Sequence, residues 1–400
     1  MNKTITRQSG SIFLLLLSLA LTCIILFQSC REKVHTNNFA YTYISPDYSS
    51  LQLKPTNDTI NFDLTEYTYT NIKSFNIFQE NNTCYISFYD RRSETINIYN
   101  FNTKELYTRI LLKKFFKQHK LYKTSVYVKN FDSIFITNKS SLYLFDSSGK
   151  KRISIDFIEK PEYEWPVFES NNQPVITGTN LYAITRPNVQ YKSLEALRNW
   201  KILYRFDLVK GRAELYNFLP EIYQKNLYGY YFLDYNYTFN NKGNFVFSFP
   251  ADTTIYETNL QDYNYAYLAK SQNQHTLIKP ATKKELENDA GLKTYSTQFS
   301  YGPIYFDPNT KRYLRLVKHK VSEEEFANKS KQRKTTLLLF NESFKIIGES
   351  EISNDISFKS LFFTPQGKLY ARVNIKDEYA LHFVRLDYEE KYRDIQLTQK

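Results

Sequence analysis

A few residue groups in this 400-residue chain match the spacing of catalytic or ligand-holding sets, and most stand in surroundings that argue against such a role. Ser147-x-x-Lys150 has the spacing of a serine nucleophile beside a lysine base. It follows Leu144-Phe145-Asp146 and contains Gly149, which is the composition of a hairpin turn and not of a helix start. Glu162 and Glu164 flank Tyr163 and could form an acid–base pair, but carboxylates one residue apart are commonplace. The five histidines, at 35, 119, 275, 319 and 382, have no metal-ligand spacing. There is no Gly-x-Ser-x-Gly elbow and no P-loop, and a count of only 10 glycines argues against a nucleotide-binding fold built on glycine loops. The sequence thus predicts no metal and no cofactor, and offers no catalytic residue.

What remains is aromatic. The chain holds 35 Tyr, 31 Phe and 2 Trp, and three of its long non-repetitive segments concentrate them. Tyr163 and Trp165 lie in the first, Tyr228, Tyr230, Tyr231, Phe232 and Tyr235 in the second, and Tyr295, Phe299 and Tyr301 in the third. Flat rings with polar tips suit sugar rings or peptide side chains. The ligand-binding candidates are therefore Tyr163, Trp165, Tyr228, Tyr230, Tyr231, Tyr235 and Tyr301. The competing reading is that these rings fasten the loops to the body. Lys113, Lys114, Lys117, Lys120 and Lys123 surround Phe115, Phe116 and Tyr122. Together with the charged stretch around Glu323-Glu324-Glu325, they read as solvated loops.

The first 29 residues have the layout of an export signal. Lys3 and Arg7 form a basic start, and residues 12–27 are an apolar run too short for the ~20 residues of a membrane span. The run ends at Phe27-Gln28-Ser29-Cys30. This resembles a bacterial lipoprotein signal, with Phe27 where Leu is usual, and implies acylation of Cys30 after cleavage. Cys23 would leave with the leader, so Cys84 would be the sole remaining thiol and no intramolecular disulfide could form. Cys84 sits in an apolar strand pattern and reads as a core residue. The formal charge is +12, and the leader carries only Lys3 and Arg7 of it. Such a basic, tethered protein would be drawn to anionic headgroups or glycans. Export argues against nucleic acid as a partner.

The strands that carry the aromatic loops recur. An apolar strand, then Asp or Asn, then a turn appears at Asn100, Asp146, Asp207, Asn341 and Asp387, with a weaker copy at Asn259. Asx side chains favour such turns by bonding the backbone two residues on. A strand precedes each copy and a third often follows, at a mean spacing of roughly 57 residues. Six units of up to four strands predict an all-β, six-bladed β-propeller of antiparallel blades spanning residues 47–400, after a polar tether at 30–46. A seven-bladed ring and a β-sandwich are the alternatives. The segments 142–145 and 337–340 are apolar at every position, as expected of sheets covered on both faces. The alternating segment 58–64 is expected to complete the last blade beside residues 392–397, leaving no open edge. Helices are expected at 193–198, capped by Ser193, and at 283–290, with Gly291 as C-cap.

In such a blade, first-to-second and third-to-fourth strand turns share one face of the ring. The long connections, residues 113–123, 159–174, 187–200, 220–236, 271–303 and 318–335, fall almost entirely on the other, where binding on a rigid scaffold usually sits. The signal, the six Asx-turn units and the Tyr/Asn/Lys-rich composition together resemble Bacteroidota lipoproteins, and the segments 142–150 and 362–370 fit the DUF4221 family, a domain of unknown function. That resemblance implies a six-bladed propeller and carries over no functional residue. Three triplets, at Asp58, Asp132 and Asp252, resemble O-glycosylation sites of exported Bacteroidota proteins. The functional expectation is an outer-membrane, lipid-anchored propeller that binds an envelope protein or glycan through its long-loop face, on the periplasmic or the outer side. The alternatives are a propeller enzyme acting on glycans or lactones at the central channel, and an assembly scaffold. In the full chain, Cys30→Ser should abolish incorporation of labelled palmitate and release the protein from the membrane fraction; retained label would place the attachment elsewhere.

Overall fold

The computed structural model describes residues 38–68, 72, 75–116, 124–138, 140–157, 166–187, 192–287, 291–328, 333–375 and 377–391. Within the unit 36–400, six four-stranded antiparallel sheets follow one another along the chain. A short strand β1 (Ala40–Thr42) and a long strand β2 (Leu51–Asp63) come first. The first blade is β3–β6 (Phe75–Glu80, Thr83–Asp90, Thr95–Asn100, Leu106–Leu111) and the second β7–β10 (Ser125–Asn130, Ser133–Asn138, Ser141–Phe145, Lys151–Asp156). The third is β11–β14 (Val175–Thr177, Asn180–Ile184, Lys201–Asp207, Arg212–Phe218) and the fourth β15–β18 (Asn236–Phe239, Phe245–Ser248, Thr254–Thr258, Asn264–Leu268). The fifth is β19–β22 (Ser300–Asp307, Arg312–Lys318, Thr335–Phe340, Ile346–Glu351). The sixth joins β23–β25 (Ile356–Phe363, Leu369–Val373, Ala380–Glu390) to β2.

Apolar clusters fill the spaces between successive blades, which is why middle strands are apolar on both faces. Ile96 and Ile98 meet Val128, Ile134 and Ile136 between blades one and two. Leu144 and Phe135 meet Leu181 and Phe206 between two and three. One large cluster joins three, four and five, and another joins five to six through Leu314, Leu339, Leu361 and Leu386. Phe62, Phe362 and Phe383 of the sixth blade then meet Phe75, Phe88 and Tyr99 of the first, so the ring is closed. Each fully buried Leu, Ile or Phe contributes about 1.5–3 kcal/mol relative to exposure. Cys84 is one of these core residues, its thiol pushed up to about 11 by burial.

The Asx turns join third to fourth strands in five blades. Asn100, Asp146, Asp207, Asn259 and Asn341 each accept the backbone N–H two residues on, at 2.9, 3.0, 3.1, 2.9 and 3.1 Å. Asp387 does not. It lies inside β25 and pairs with Arg385 at 2.8 Å, because this blade takes its fourth strand from the N-terminus and needs no turn there. The N-terminal segment completes the last blade as expected, but its partner is corrected: β2 pairs with β25 from Leu51↔Glu390 to Asp63↔Ala380, and residues 392–397 lie outside the described residues. Part of the segment read as a polar tether is also structural, since β1 adds to β18 in parallel as a fifth strand.

Three local readings are settled. Ser193 caps the helix Leu194–Asn199 by accepting from the Ala196 N–H at 3.2 Å. Gly291 does not close the helix Lys283–Glu287 but begins a second one, Gly291–Ser296. The stretch Glu323–Ala327, read as a loop, is a helix with a capping box between Ser322 and Glu325.

The seam is tight where the entering chain crosses from the fifth blade to the sixth. Glu349 N–H donates to Tyr48 O at 3.2 Å, and Leu53 N–H to Ser350 Oγ at 2.7 Å. A Cβ on Gly348 would stand 1.9 Å from the Leu51 carbonyl oxygen, a backbone atom that cannot swing away. Gly348→Ala should therefore lower the urea midpoint by more than Gly211→Ala. Gly211 has open space around it and only its φ of 65° to violate, a cost of about 1–2 kcal/mol. Equal midpoints for the two variants would mean that the seam yields freely.

Candidate functional site

Described parts of four of the long connections meet around one cavity. Arg186 and Pro187 follow the second strand of blade three, and Lys318 ends the second strand of blade five. Tyr230 and Tyr231 ride on the 3-10 turn Tyr230–Leu233, entered through Gly229 at φ 89°, a conformation in which a side chain would be strained. Tyr295 comes from the helix Gly291–Ser296. Lys359 stands in a register irregularity of β23 between Ser357 and Leu361. Such irregularities re-aim side chains out of the regular alternation. These residues, with Leu233 and Asp234, line a cavity of 320 Å³.

Its centre is ionic. Arg186 Nη2 pairs with Asp234 Oδ1 at 2.8 Å, and Lys359 Nζ reaches Asp234 Oδ2 at 3.3 Å. From beneath, Glu169 approaches Arg186 Nη1 at 3.4 Å. Burial alone would raise the Asp234 pKa, but Arg186, Lys359 and Lys318 outweigh it and hold the carboxyl at about 2. Burial likewise opposes the charge of Arg186, and Asp234 and Glu169 more than restore it, so its pKa lies above the ordinary value. Lys318 Nζ donates to Tyr295 Oη at 2.9 Å, and the Arg333 guanidinium lies 4.7 Å from the Tyr295 ring centre. Burial pushes that phenol up, but the two cations prevail and bring it below its ordinary pKa.

The floor is a polar plug. Asn172 N–H closes a turn on Glu169 O at 2.9 Å, and the turn lies across the axis. On one side Phe75 N–H donates to Ser170 Oγ at 3.0 Å, and Gln173 Nε2 donates to Phe75 O at 3.3 Å. On the other, Tyr237 N–H donates to Asn172 Oδ1 at 3.1 Å, and Asn172 Nδ2 donates to Asn236 Oδ1 at 2.9 Å. Phe75 belongs to blade one, and Asn236 and Tyr237 to blade four, which face each other across a ring of six. Beyond the plug, toward the short-turn face, a second 320 Å³ cavity is lined by Ile77, Val175, Thr238, Tyr305 and Phe362 among others. The described residues lining it include no carboxylate, histidine or cysteine. No group of three or more His, Cys, Asp or Glu suited to a metal occurs among the described residues.

Of the sequence-derived candidates, the structure brings Tyr230 and Tyr231 to the cavity, 47% and 39% exposed. Tyr228, Tyr235 and Tyr301 are core residues instead, between 0% and 3% exposed. Tyr235 Oη donates to Thr185 O and accepts from Trp200 Nε1, while Tyr301 Oη donates to Gln274 Oε1 at 2.5 Å. The hydroxyls of Tyr235 and Tyr301 tie connections to blades, and the Tyr228 ring packs on Tyr223 and Phe232, so these three fasten loops and offer no open ring face. Tyr163, Trp165, Glu162, Glu164 and Cys30 lie outside the described residues. Arg186, Asp234, Lys318 and Lys359 were not anticipated. The available signal was an ionic residue within an apolar or aromatic run, as in Phe232-Leu233-Asp234-Tyr235 and Phe358-Lys359-Ser360-Leu361.

A larger groove, of 620 Å³, runs outside the ring between β14 and the β17–β18 turn. Its one lining carboxylate, Glu214, is taken by Arg205 and by Arg212 at 3.3 Å, all three side chains a quarter or more exposed. The axial cavity, where segments of several blades converge on the more buried Arg186, is the stronger candidate.

The family model described as "Domain of unknown function (DUF4221)" matches residues 50–351. The chain belongs to the DUF4221 family. The crystal structure of a DUF4221 member from Bacteroides vulgatus superposes with a TM-score of 0.69 at 20% identity, over 86% of this chain and all of the other. A protein from Bacteroides fragilis gives a TM-score of 0.49 at 10% identity, over 87% of this chain and all of its own. A streptogramin B lyase gives 0.42 at 10% identity, over 86% of this chain and all of its own. The first of these supports the DUF4221 propeller fold; the other two are too distant to inform chemistry. No curated protein matches the chain significantly. Among the described residues no helix is long and apolar enough to cross a membrane.

The ion pairs make an acid-limb prediction for this DUF4221 chain. A carboxylate held below its unfolded pKa of 3.8 stabilises the fold above that value and loses the contribution as pH falls toward about 2. Asp234→Asn should lower stability by about 1–3 kcal/mol at neutral pH, since it leaves Arg186 short of a partner. In urea titrations the gap from the parent should close as pH falls from 4 toward 2; a gap independent of pH would remove Asp234 from the network.

Proposed function

We propose that this DUF4221 protein is anchored to the cell envelope through lipid on Cys30 and that its propeller captures a ligand at the axial mouth of the long-loop face. The single observation that carries this reading is convergence. Segments from blades three, five and six and from two inter-blade connections meet at one cavity that combines exposed aromatic faces with a partly buried ionic cluster. Long loops on a rigid ring are well suited to that task, because the ring bears the folding energy and leaves the loops free to specify contacts. The blocked axis is consistent with capture at the mouth instead of passage through the channel. The lipoprotein-like leader and the basic balance favour an envelope setting, in which a glycan or an envelope protein is the partner.

A thermal-shift screen of the full chain in detergent against neutral and charged saccharides and envelope peptides tests the placement. A ligand at a hundredfold excess over its Kd adds about 2.7 kcal/mol of stability, a shift readily seen. Tyr230→Ala combined with Tyr231→Ala removes two half-exposed rings and should leave the unliganded Tm nearly unchanged while erasing the shift. A ligand that shifts both proteins equally would locate binding elsewhere.

A further inference from the structure

Resting on that reading of the mouth, we infer that its ligand is an acidic sugar, a ring bearing both a carboxylate and free hydroxyls. The first observation is the imbalance of charge. Arg186, Lys318 and Lys359 line the cavity, against Asp234 as the sole lining carboxylate. Asp234 is shared between Arg186 and Lys359. Lys318 has no carboxylate at ion-pair distance among the described residues, and its ammonium is turned on the phenol of Tyr295. Behind that ring, Arg333 Nη1 is buried without an acceptor, as is Nε of Arg186. Glu169 offsets Arg186 from outside the lining, and the other nitrogens of Arg333 donate to His319 O, Gln298 O, Ser300 Oγ and Lys318 O, so Lys318 is the lining cation left without a carboxylate, and an incoming anion supplies it one.

The second observation is the wall. Tyr231 stacks on Tyr295, with ring centres 5.7 Å apart and planes 30° from parallel, and Tyr230 meets Tyr231 edge-on at 5.6 Å. Flat aromatic faces at a cavity rim accept the apolar face of a saturated ring. The third is Asp234 itself. A carboxylate in the middle of a cationic site repels a bare inorganic anion, yet it is a strong acceptor for hydroxyl donors. Cations for a carboxylate, an acceptor for hydroxyls and stacked rings for a flat face describe one molecule class together. At 320 Å³ the cavity is at the small end of ligand sites, which fits a short saccharide or a chain terminus and not an extended polyanion.

Calorimetry on the full chain in detergent tests this with galacturonate and glucuronate, their di- and trisaccharides, the neutral galactose and glucose counterparts, and inorganic phosphate. The expected result is that the acids bind at least roughly tenfold more tightly than their neutral counterparts, a preference of about 1.4 kcal/mol. Lys318→Gln and Lys359→Gln should each erase most of that preference, and Tyr231→Ala should weaken acid and neutral sugar alike. Neutral sugars that bind as well as acids, and are lost on Tyr231→Ala but not on Lys318→Gln, would overturn the acidic ligand while leaving the mouth as the binding site. Acids whose affinity none of the three substitutions changes would overturn the mouth as well. Phosphate binding as tightly as the uronates would overturn the sugar, and so would silence across all probes.

Discussion

Every sheet in this molecule is covered on both faces by its neighbours, and that requirement governs the rest. A blade with one naked face would leave Ile96, Leu142, Leu337 or Phe383 in water. Six blades therefore need six interfaces, and the last depends on two chain ends that are far apart in sequence. β2 supplies it by entering as the outermost strand of the final blade, where Phe62 reaches Phe383 and Tyr99 with ring centres 5.9 and 5.7 Å away. The same entering segment touches the two preceding blades: β1 adds to β18 and the Tyr48 hydroxyl donates to Lys270 O at 2.7 Å on the side of blade four, while the Tyr48 carbonyl accepts from the Glu349 N–H of blade five at 3.2 Å. The seam is thereby fastened by hydrogen bonds as well as by apolar contact, with Gly348 making room for the crossing backbone.

A closed ring leaves a hole along its axis, and polar groups resolve that problem here. The turn at Glu169–Asn172 spans it with amide side chains whose donors and acceptors meet the backbone and amides of opposite inner strands. Satisfied in this way, buried amides are not a liability. The plug also forms the base on which the mouth is organised. Glu169 belongs to the plug and reaches Arg186, which holds Asp234, which holds Lys359. Structural filling of the axis and the electrostatics of the candidate site are thus one connected network.

Buried single charges elsewhere show a different solution. Arg315 is fully buried between blades four and five, held by Ser248 Oγ and by the carbonyls of Ala269, Phe249 and Asp252, and lies 4.0 Å from the centre of the Tyr301 ring. Burial brings its pKa down to about 10, and the carbonyls and ring keep it paired. It explains why Tyr301, read as part of a long connection but lying in β19, belongs to the core: its face is occupied by a structural cation. At the mouth the rings of Tyr230 and Tyr231 remain half-exposed, and that difference separates a binding surface from a staple.

The strand repeat, the Asx turns and the asymmetry of the loops were legible in the chain because they are local. An Asp or Asn bonds the backbone two residues on, and an apolar run declares burial, whatever lies across the fold. The pairing partner of the closing strand was misjudged for the same reason. Asp387 has the local look of a turn, and only the arrival of β2 beside β25 makes that turn unnecessary. Tyr228, Tyr235 and Tyr301 were indistinguishable by type from Tyr230 and Tyr231, since burial depends on what packs from other blades. The fold class and the six strand repeats could be read along the chain without any knowledge of its neighbours in space. Which rings stay exposed, and that Arg186, Asp234, Lys318 and Lys359 share one cavity, were decided by tertiary structure alone. Those four residues are separated by tens of residues in the chain and meet only because a closed ring turns every blade's corresponding end toward a common axis.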